Sequence, residues 1–105
     1  MSRADAEEQA FDYVGIALAR SVEGDALVEA MSDLEGVEVV PQPSYWEVKA
    51  RERLRLDFEE LSEATGLDVD SELIQVLMST YYGRIVNTDE AILLFHDPLE
   101  AMEHM

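Results

Sequence analysis

The sequence predicts an α+β domain, a mainly antiparallel sheet with about three helices packed on it, and three observations lead to that expectation. Segments alternating apolar and polar with a period of two take turns along the chain with segments whose apolar residues recur every three to four. Ser, Asp and Gly stand where helices of that spacing would start and stop. The length, 105 residues, suits one core and not two, since a chain of this size buries roughly two-thirds of its unfolded surface.

The elements follow in order. Residues 1–10 read as a flexible arm, 11–97 as the folded domain and 98–105 as a flexible tail. Tyr13-Val-Gly-Ile-Ala-Leu-Ala19 alternates, with Val14, Ile16 and Leu18 on one face and Gly15, Ala17 and Ala19 on the other. That is a strand with one bulky and one flat face. Ser21 is placed to cap a helix whose first turn carries Glu23 and Asp25, where negative charge suits the helix dipole. Its apolar stripe is Leu27, Ala30, Met31 and Leu34, and Gly36 ends it.

Val37-Glu-Val-Val40 is a short strand closed by Pro41-Gln-Pro43. Tyr45 to Ala50 and Glu52 to Leu56 alternate again, with Trp46, Val48 and Ala50 sharing a face in the first and Leu54 and Leu56 in the second. Asp57 and Glu60 form the Asp-x-x-Glu signature of a helix start, and Gly66 is its stop. Asp70 or Ser71 begins a third helix bearing Leu73, Ile74, Leu77 and Met78. Two last strands, about Tyr82–Val86 and Ala91–Phe95, flank the turn-rich Asn87-Thr-Asp-Glu90. His96 to Met105 reads as a frayed tail.

Composition narrows the function. Asp plus Glu number 24 against 7 Lys plus Arg, a formal net charge of −17. Such a surface does not suit a phosphate backbone, where binding rests on clustered cations. It favours encounter with a basic protein surface, or else serves only to keep the protein soluble. There is no cysteine, which excludes disulfides, thiolate nucleophiles and cysteine-bound metal or iron–sulfur centres. The first ten residues are acidic and polar, unlike a signal peptide, and no apolar run approaches the roughly 20 residues of a membrane span. A soluble cytoplasmic protein is the expectation.

Catalytic motifs are sought and not found. Asp68-x-Asp70-x-Glu72 imitates the start of a calcium loop, but the sixth position is Leu73 where Gly is needed and the twelfth is Ser79 where a bidentate Glu is needed. These acids read as caps of the third helix. A diiron carboxylate site requires Glu-x-x-His pairs, yet the residues three before His96 and His104 are Leu93 and Ala101. There is no Gly-x-Ser-x-Gly elbow and no glycine-rich phosphate loop. Tyr45-Trp46 and Tyr81-Tyr82 are the notable aromatic pairs. In a strand, one member of each faces the core and the other is free to anchor a partner.

A series of motifs then carries a resemblance. Tyr45-Trp-Glu-Val-Lys-Ala50 is followed by Leu54-Arg-Leu-Asp57, Glu59-Glu-Leu-Ser-Glu-Ala-Thr-Gly66 and Asp70-Ser-Glu-Leu-Ile74. Ser79-Thr80-Tyr-Tyr-Gly83-Arg84-Ile85 and Thr88-Asp-Glu90 complete it. In this order and spacing they resemble the coupling (effector) proteins of soluble bacterial multicomponent diiron monooxygenases, of the methane, phenol, toluene and alkene or propane type. The resemblance covers roughly residues 12–97 and is looser over Val14 to Met31.

The resemblance implies a non-catalytic protein without cofactor. It would dock on the α-subunit of the hydroxylase component, tune substrate and oxygen access, and couple electron transfer to hydroxylation. It would have no nucleic-acid or membrane partner, and would compete with a ferredoxin or reductase for the same face. Leu77, Ser79, Thr80 and Tyr81 match positions that face the hydroxylase in relatives. Many relatives carry Asn at the position of Leu77, which implies a more apolar interface or a different substrate class. Two rival readings of the bare composition are an acidic decoy that blocks a basic nucleic-acid-binding protein, and a regulatory domain that binds a small ligand in an apolar pocket.

Overall fold

The computed structural model describes residues 13–103; the expected arm, residues 1–10, lies outside them. The described elements run β1 (Tyr13–Ala19), α1 (Val22–Ser32), β2 (Val37–Pro41), β3 (Tyr45–Arg51), β4 (Arg53–Asp57), α2 (Phe58–Thr65), α3 (Ser71–Leu77), β5 (Met78–Tyr82), β6 (Arg84–Asn87), β7 (Ala91–Phe95) and α4 (Pro98–Glu103). The strands form a four-stranded sheet of order β2-β3-β1-β5 and a three-stranded sheet of order β4-β7-β6. Every pairing among them is antiparallel. The α+β expectation holds, with two sheets where one was expected.

β1 is central to the larger sheet. Its bulky residues Val14, Ile16 and Leu18 are completely buried, and they oppose Ala50, Val48 and Trp46 of β3 across the ladder. Ser21 caps α1 by accepting the Gly24 backbone N–H at 2.9 Å, and Leu27, Val28 and Met31 turn the helix onto the same core. α1 stops at Ser32, short of Gly36, and Leu34 packs from the following turn. The smaller sheet contributes Leu54, Leu56, Ile92 and Leu94 to this core from the other side, with Phe58, Leu61 and Ile74 of α2 and α3. Fully burying each such aliphatic side chain contributes about 1.5–3 kcal/mol.

The two sheets are joined by single-residue corners. Only Glu52 separates β3 from β4, and only Gly83 separates β5 from β6. Both have positive φ, 68° at Glu52 and 113° at Gly83, so the chain turns out of one sheet and into the other within one residue. The Glu52 carbonyl accepts the His96 N–H at 2.7 Å. At Gly83 a Cβ would stand 2.7 Å from Val14 Cγ1 and 3.3 Å from the Phe95 carbonyl oxygen. Glycine is required there twice over, by conformation and by space.

Three expectations are corrected. Met78 belongs to β5 and not to the third helix, because its register with Leu18 places it in the ladder. The single strand expected over 82–86 is split by Gly83 into parts of β5 and β6 in different sheets. Finally, residues 98–103 of the expected tail form a helix, α4. Ala101 on α4 is buried with Val86, Ala91, Leu93 and Phe95 in a second apolar cluster. This cluster lies on the face of the smaller sheet away from the main core, so β7 is covered on both sides and all five of its residues are buried. Arg53 and Glu100 pair across the edge of α4 at 3.1 Å.

Asp57 ends β4 and caps α2 at once. Its Oδ1 accepts the Glu60 N–H and its Oδ2 the Arg55 guanidinium, each at 3.0 Å. The Glu60 N–H first, and Arg55 beside it, hold its carboxyl below the usual carboxylate range, against a smaller opposing effect of burial.

Gly83→Ala is expected to lower stability by about 2–3 kcal/mol, combining left-handed strain and the Val14 contact, read as a lower denaturation midpoint in urea. Asp57→Ala should cost about 1 kcal/mol near neutral pH. Because the folded-state pKa is lowered, that contribution is present above the unfolded carboxylate value of about 4 and fades as pH falls through the folded one. Melting curves of the two proteins should therefore converge in acid.

Candidate functional site

The site residues chosen from sequence lie on a continuous segment at the end of α3 and along β5. Among the described residues β5 is an edge strand, hydrogen-bonded to β1 alone within the sheet, so one row of its backbone N–H and C=O groups faces away from that pairing. Its register with β1 shifts between Ala17 and Leu18: Thr80 opposes Ala17 while Met78 opposes Leu18. Ser79 is the extra residue, a bulge that twists the edge, and its hydroxyl donates to the Ala17 carbonyl at 3.4 Å.

The structure brings together Ser79, Thr80 and Tyr81 as exposed side chains, with Tyr81 keeping 45% of its surface open. Leu77 differs. It is half-buried and packs against the main core, because it continues the stripe of Leu73 and Ile74 on the inward face of α3. The residue presented outward from that helix end is Val76, 76% exposed. It reads in sequence as one more apolar residue of a core helix. Its signal is angular: two residues after the buried Ile74, it lies roughly 200° around the helix.

On the outer face of the larger sheet, the flat side of β1 has a purpose. Tyr82 opposes Gly15 in register, and a Cβ on Gly15 would stand 2.7 Å from the Tyr82 hydroxyl and 2.8 Å from its Cζ. The Tyr82 hydroxyl donates to Glu47 Oε2 on β3 at 3.2 Å. Burial, and then the Glu47 carboxylate, raise the Tyr82 phenol well above the ordinary tyrosine value. Of the pair Tyr81-Tyr82, Tyr81 is thus the open member; Tyr82 is covered, but on the outer face and not in the core. Nearby, Tyr13 donates to Glu38 at 3.4 Å, and Lys49 stands 4.0 Å from Glu38 and 5.0 Å from the Tyr13 ring.

The other aromatic pair divides differently, with both members half-buried. The Trp46 indole N–H donates to Asp25 at 2.8 Å, and the Arg20 guanidinium lies 4.1 Å over its ring while donating twice to the Gln42 carbonyl. This ties the start of α1 to the β2–β3 hairpin.

Among the described residues no three His, Asp or Glu side chains converge in a way that would hold a metal ion. Asp70, from the calcium-like segment, caps α3 by accepting the Leu73 N–H at 2.8 Å. A depression of about 400 Å³ is lined by Glu52, His96, Asp97 and Glu100; its carboxylate rim is unlike the apolar lining of a ligand pocket. No described helix is long and apolar enough to cross a membrane.

The fold is thus a two-sheet domain with an open, bulged strand edge that exposes Tyr81, and with Val76 exposed just before it. The MmoB/DmpM family model matches residues 12–95, and this chain belongs to that family, as a regulatory component of a monooxygenase and not a catalytic subunit. It is 36% identical over 91 residues to the propane 2-monooxygenase effector component of Rhodococcus jostii (strain RHA1), covering 87% of this chain and 80% of that one. To the effector component from Gordonia sp. (strain TY-5) it is 33% identical over 98 residues, 93% of this chain and 88% of the other. A chain in the complex of phenol hydroxylase with its regulatory protein superposes with TM-score 0.71 at 25% identity, covering 79% of this chain and 97% of that one. Soluble methane monooxygenase regulatory protein B shares the fold, with TM-score 0.65 at 23% identity over 84% of this chain and 67% of its own.

Tyr82 should ionise above the ordinary tyrosine range in an alkaline absorbance titration, and the step should vanish in Tyr82→Phe. With its folded pKa raised, the stability it confers is complete below the unfolded tyrosine value of about 10 and is lost as pH rises beyond it. Wild type should consequently lose stability more steeply above that pH than Tyr82→Phe.

Proposed function

We propose that this chain is the effector component of a multicomponent monooxygenase of the propane 2-monooxygenase kind, working in the cytoplasm, and that it docks through the β5 edge on the α-subunit of the hydroxylase component. The observation that carries the reading is the edge itself. Ser79, Thr80 and Tyr81 are open on a strand that pairs on one side, with Val76 exposed at its entrance, on a chain of the MmoB/DmpM family. Effector relatives 33–36% identical belong to propane 2-monooxygenases, which favours a short alkane over a phenol as the substrate of the complex. The exposed Val76 and Tyr81 suit a partner groove with apolar walls.

The physical action is a population shift. The effector binds one hydroxylase conformation better than another and so tunes substrate and oxygen access and couples electron delivery to hydroxylation. A preference of about 3 kcal/mol changes that equilibrium more than a hundredfold. The net charge of −17 steers the chain toward a basic docking surface and sets it in competition with an acidic ferredoxin or reductase for that surface. The decoy reading has only the charge behind it, whereas family and fold both support the effector.

The test is reconstitution with the cognate hydroxylase, its reductase and any ferredoxin. Adding this protein should raise product formed per electron consumed, and no change in turnover, coupling or selectivity would refute the reading. Tyr81→Ala and Val76→Asp should each weaken hydroxylase binding by about tenfold or more while leaving the melting temperature within a degree or two. Affinity should also fall as salt rises.

A further inference from the structure

An edge strand that carries a docking surface needs its own tilt held, and among the described residues β5 has ladder support from β1 only. The bulge at Ser79 interrupts even that ladder and adds local twist. A second support crosses the outer face of the sheet. Tyr82, the last residue of β5, opposes Gly15, yet its hydroxyl reaches Glu47, which stands in register with Ala17 and not with Gly15. The ring therefore crosses β1 and leans along it toward the bulged part of the ladder, binding β5 to β3 over the intervening strand.

Only the absence of a side chain at Gly15 leaves room for this path. Ala17, the next outer-face residue of β1, is only 5% exposed. Tyr82 itself is half-buried, unlike Ser79, Thr80 and Tyr81, which are open.

We propose that Tyr82 is a positioning residue for docking: laid over Gly15 and bonded to Glu47, it holds the bulged β5 edge in the geometry that presents Ser79, Thr80 and Tyr81 to the hydroxylase component. The proposal rests on the effector reading above. It assigns Tyr82 no contact with the partner. Its effect is to order the edge before binding, so that less order has to be gained in the complex.

Hydrogen exchange by NMR on the free, full-length protein tests the first half. In Tyr82→Phe, which keeps the ring and removes the hydroxyl, the β5 amides should exchange about fivefold faster, the worth of one net hydrogen bond. In Tyr82→Ala, which also empties the space over Gly15, the increase should exceed tenfold, with chemical-shift changes at Ser79, Thr80 and Tyr81. Amides of β7 should change less than twofold. Glu47→Gln keeps an acceptor and should stay close to wild type, whereas Glu47→Ala should match Tyr82→Phe and add nothing to it in the double variant. Tyr45→Phe is the control without effect.

Titration of the same variants against the cognate hydroxylase tests the second half. Tyr82→Phe should raise Kd by roughly three- to tenfold, by lost preorganisation, and saturating amounts should restore turnover and coupling. Uniformly faster exchange across the whole protein would make Tyr82 a general stabiliser and overturn the proposal, as would a loosened β5 with unchanged Kd. Wild type that binds while Tyr82→Phe and Tyr82→Ala bind equally well refutes this proposal alone. Wild type that neither binds nor alters turnover refutes the effector reading and this one together.

Discussion

β1 has no outer-face side chain larger than a methyl group at positions 15, 17 and 19, while it lies between β3 and β5 in the larger sheet. Much of the molecule depends on that constraint. On the inner face Val14, Ile16 and Leu18 are fully buried and set the depth of the core. On the outer face the strand must stay flat at Gly15, because Tyr82 and the Val48 carbonyl oxygen both come within 2.8 Å of where a Cβ would be. One residue beyond Tyr82, Gly83 turns the chain against a Val14 methyl into the second sheet. Both faces of one strand thus fix where β5 lies and where it ends.

The single-residue corners extend this constraint to the smaller sheet. Because β3 passes to β4 and β5 to β6 within one residue, the two sheets cannot slide relative to each other without breaking their ladders. The His96 N–H bound to the Glu52 carbonyl secures one corner to the end of β7, and the Phe95 carbonyl lies against the other. β7 is covered on one side by the main core and on the other by the cluster under α4. The proposed docking edge is therefore an open strand mounted on two sheets tied to each other, the arrangement in which a rigid scaffold positions a recognition surface.

Charge is distributed to the same end. Several of the described cations are used inside the molecule: Arg20 on Trp46 and Gln42, Lys49 near Glu38, Arg53 on Glu100 and Arg55 on Asp57. Those pairs fasten hairpins, a helix and a cap. The surplus of carboxylates is left to the surface, where a net negative field would act at long range on any basic surface. The proposed docking segment, Val76 to Tyr81, carries no charged residue.

Local sequence determined the caps at Ser21, Asp57 and Asp70, the buried stripe of β1 and the apolar run of β7, since each depends on side chains within a few residues. The ordered motifs from Tyr45 to Glu90 determined the family, and three of the four residues chosen as the docking site are exposed together. Tertiary structure decided the rest. Whether Leu77 or Val76 faces outward depends on which side of α3 meets the core, and the break at Gly83 depends on Val14, nearly seventy positions earlier. Tyr82 shows the difference best. Its role depends on Gly15 and Glu47, residues on two other strands, which only the folded sheet brings beneath one aromatic ring.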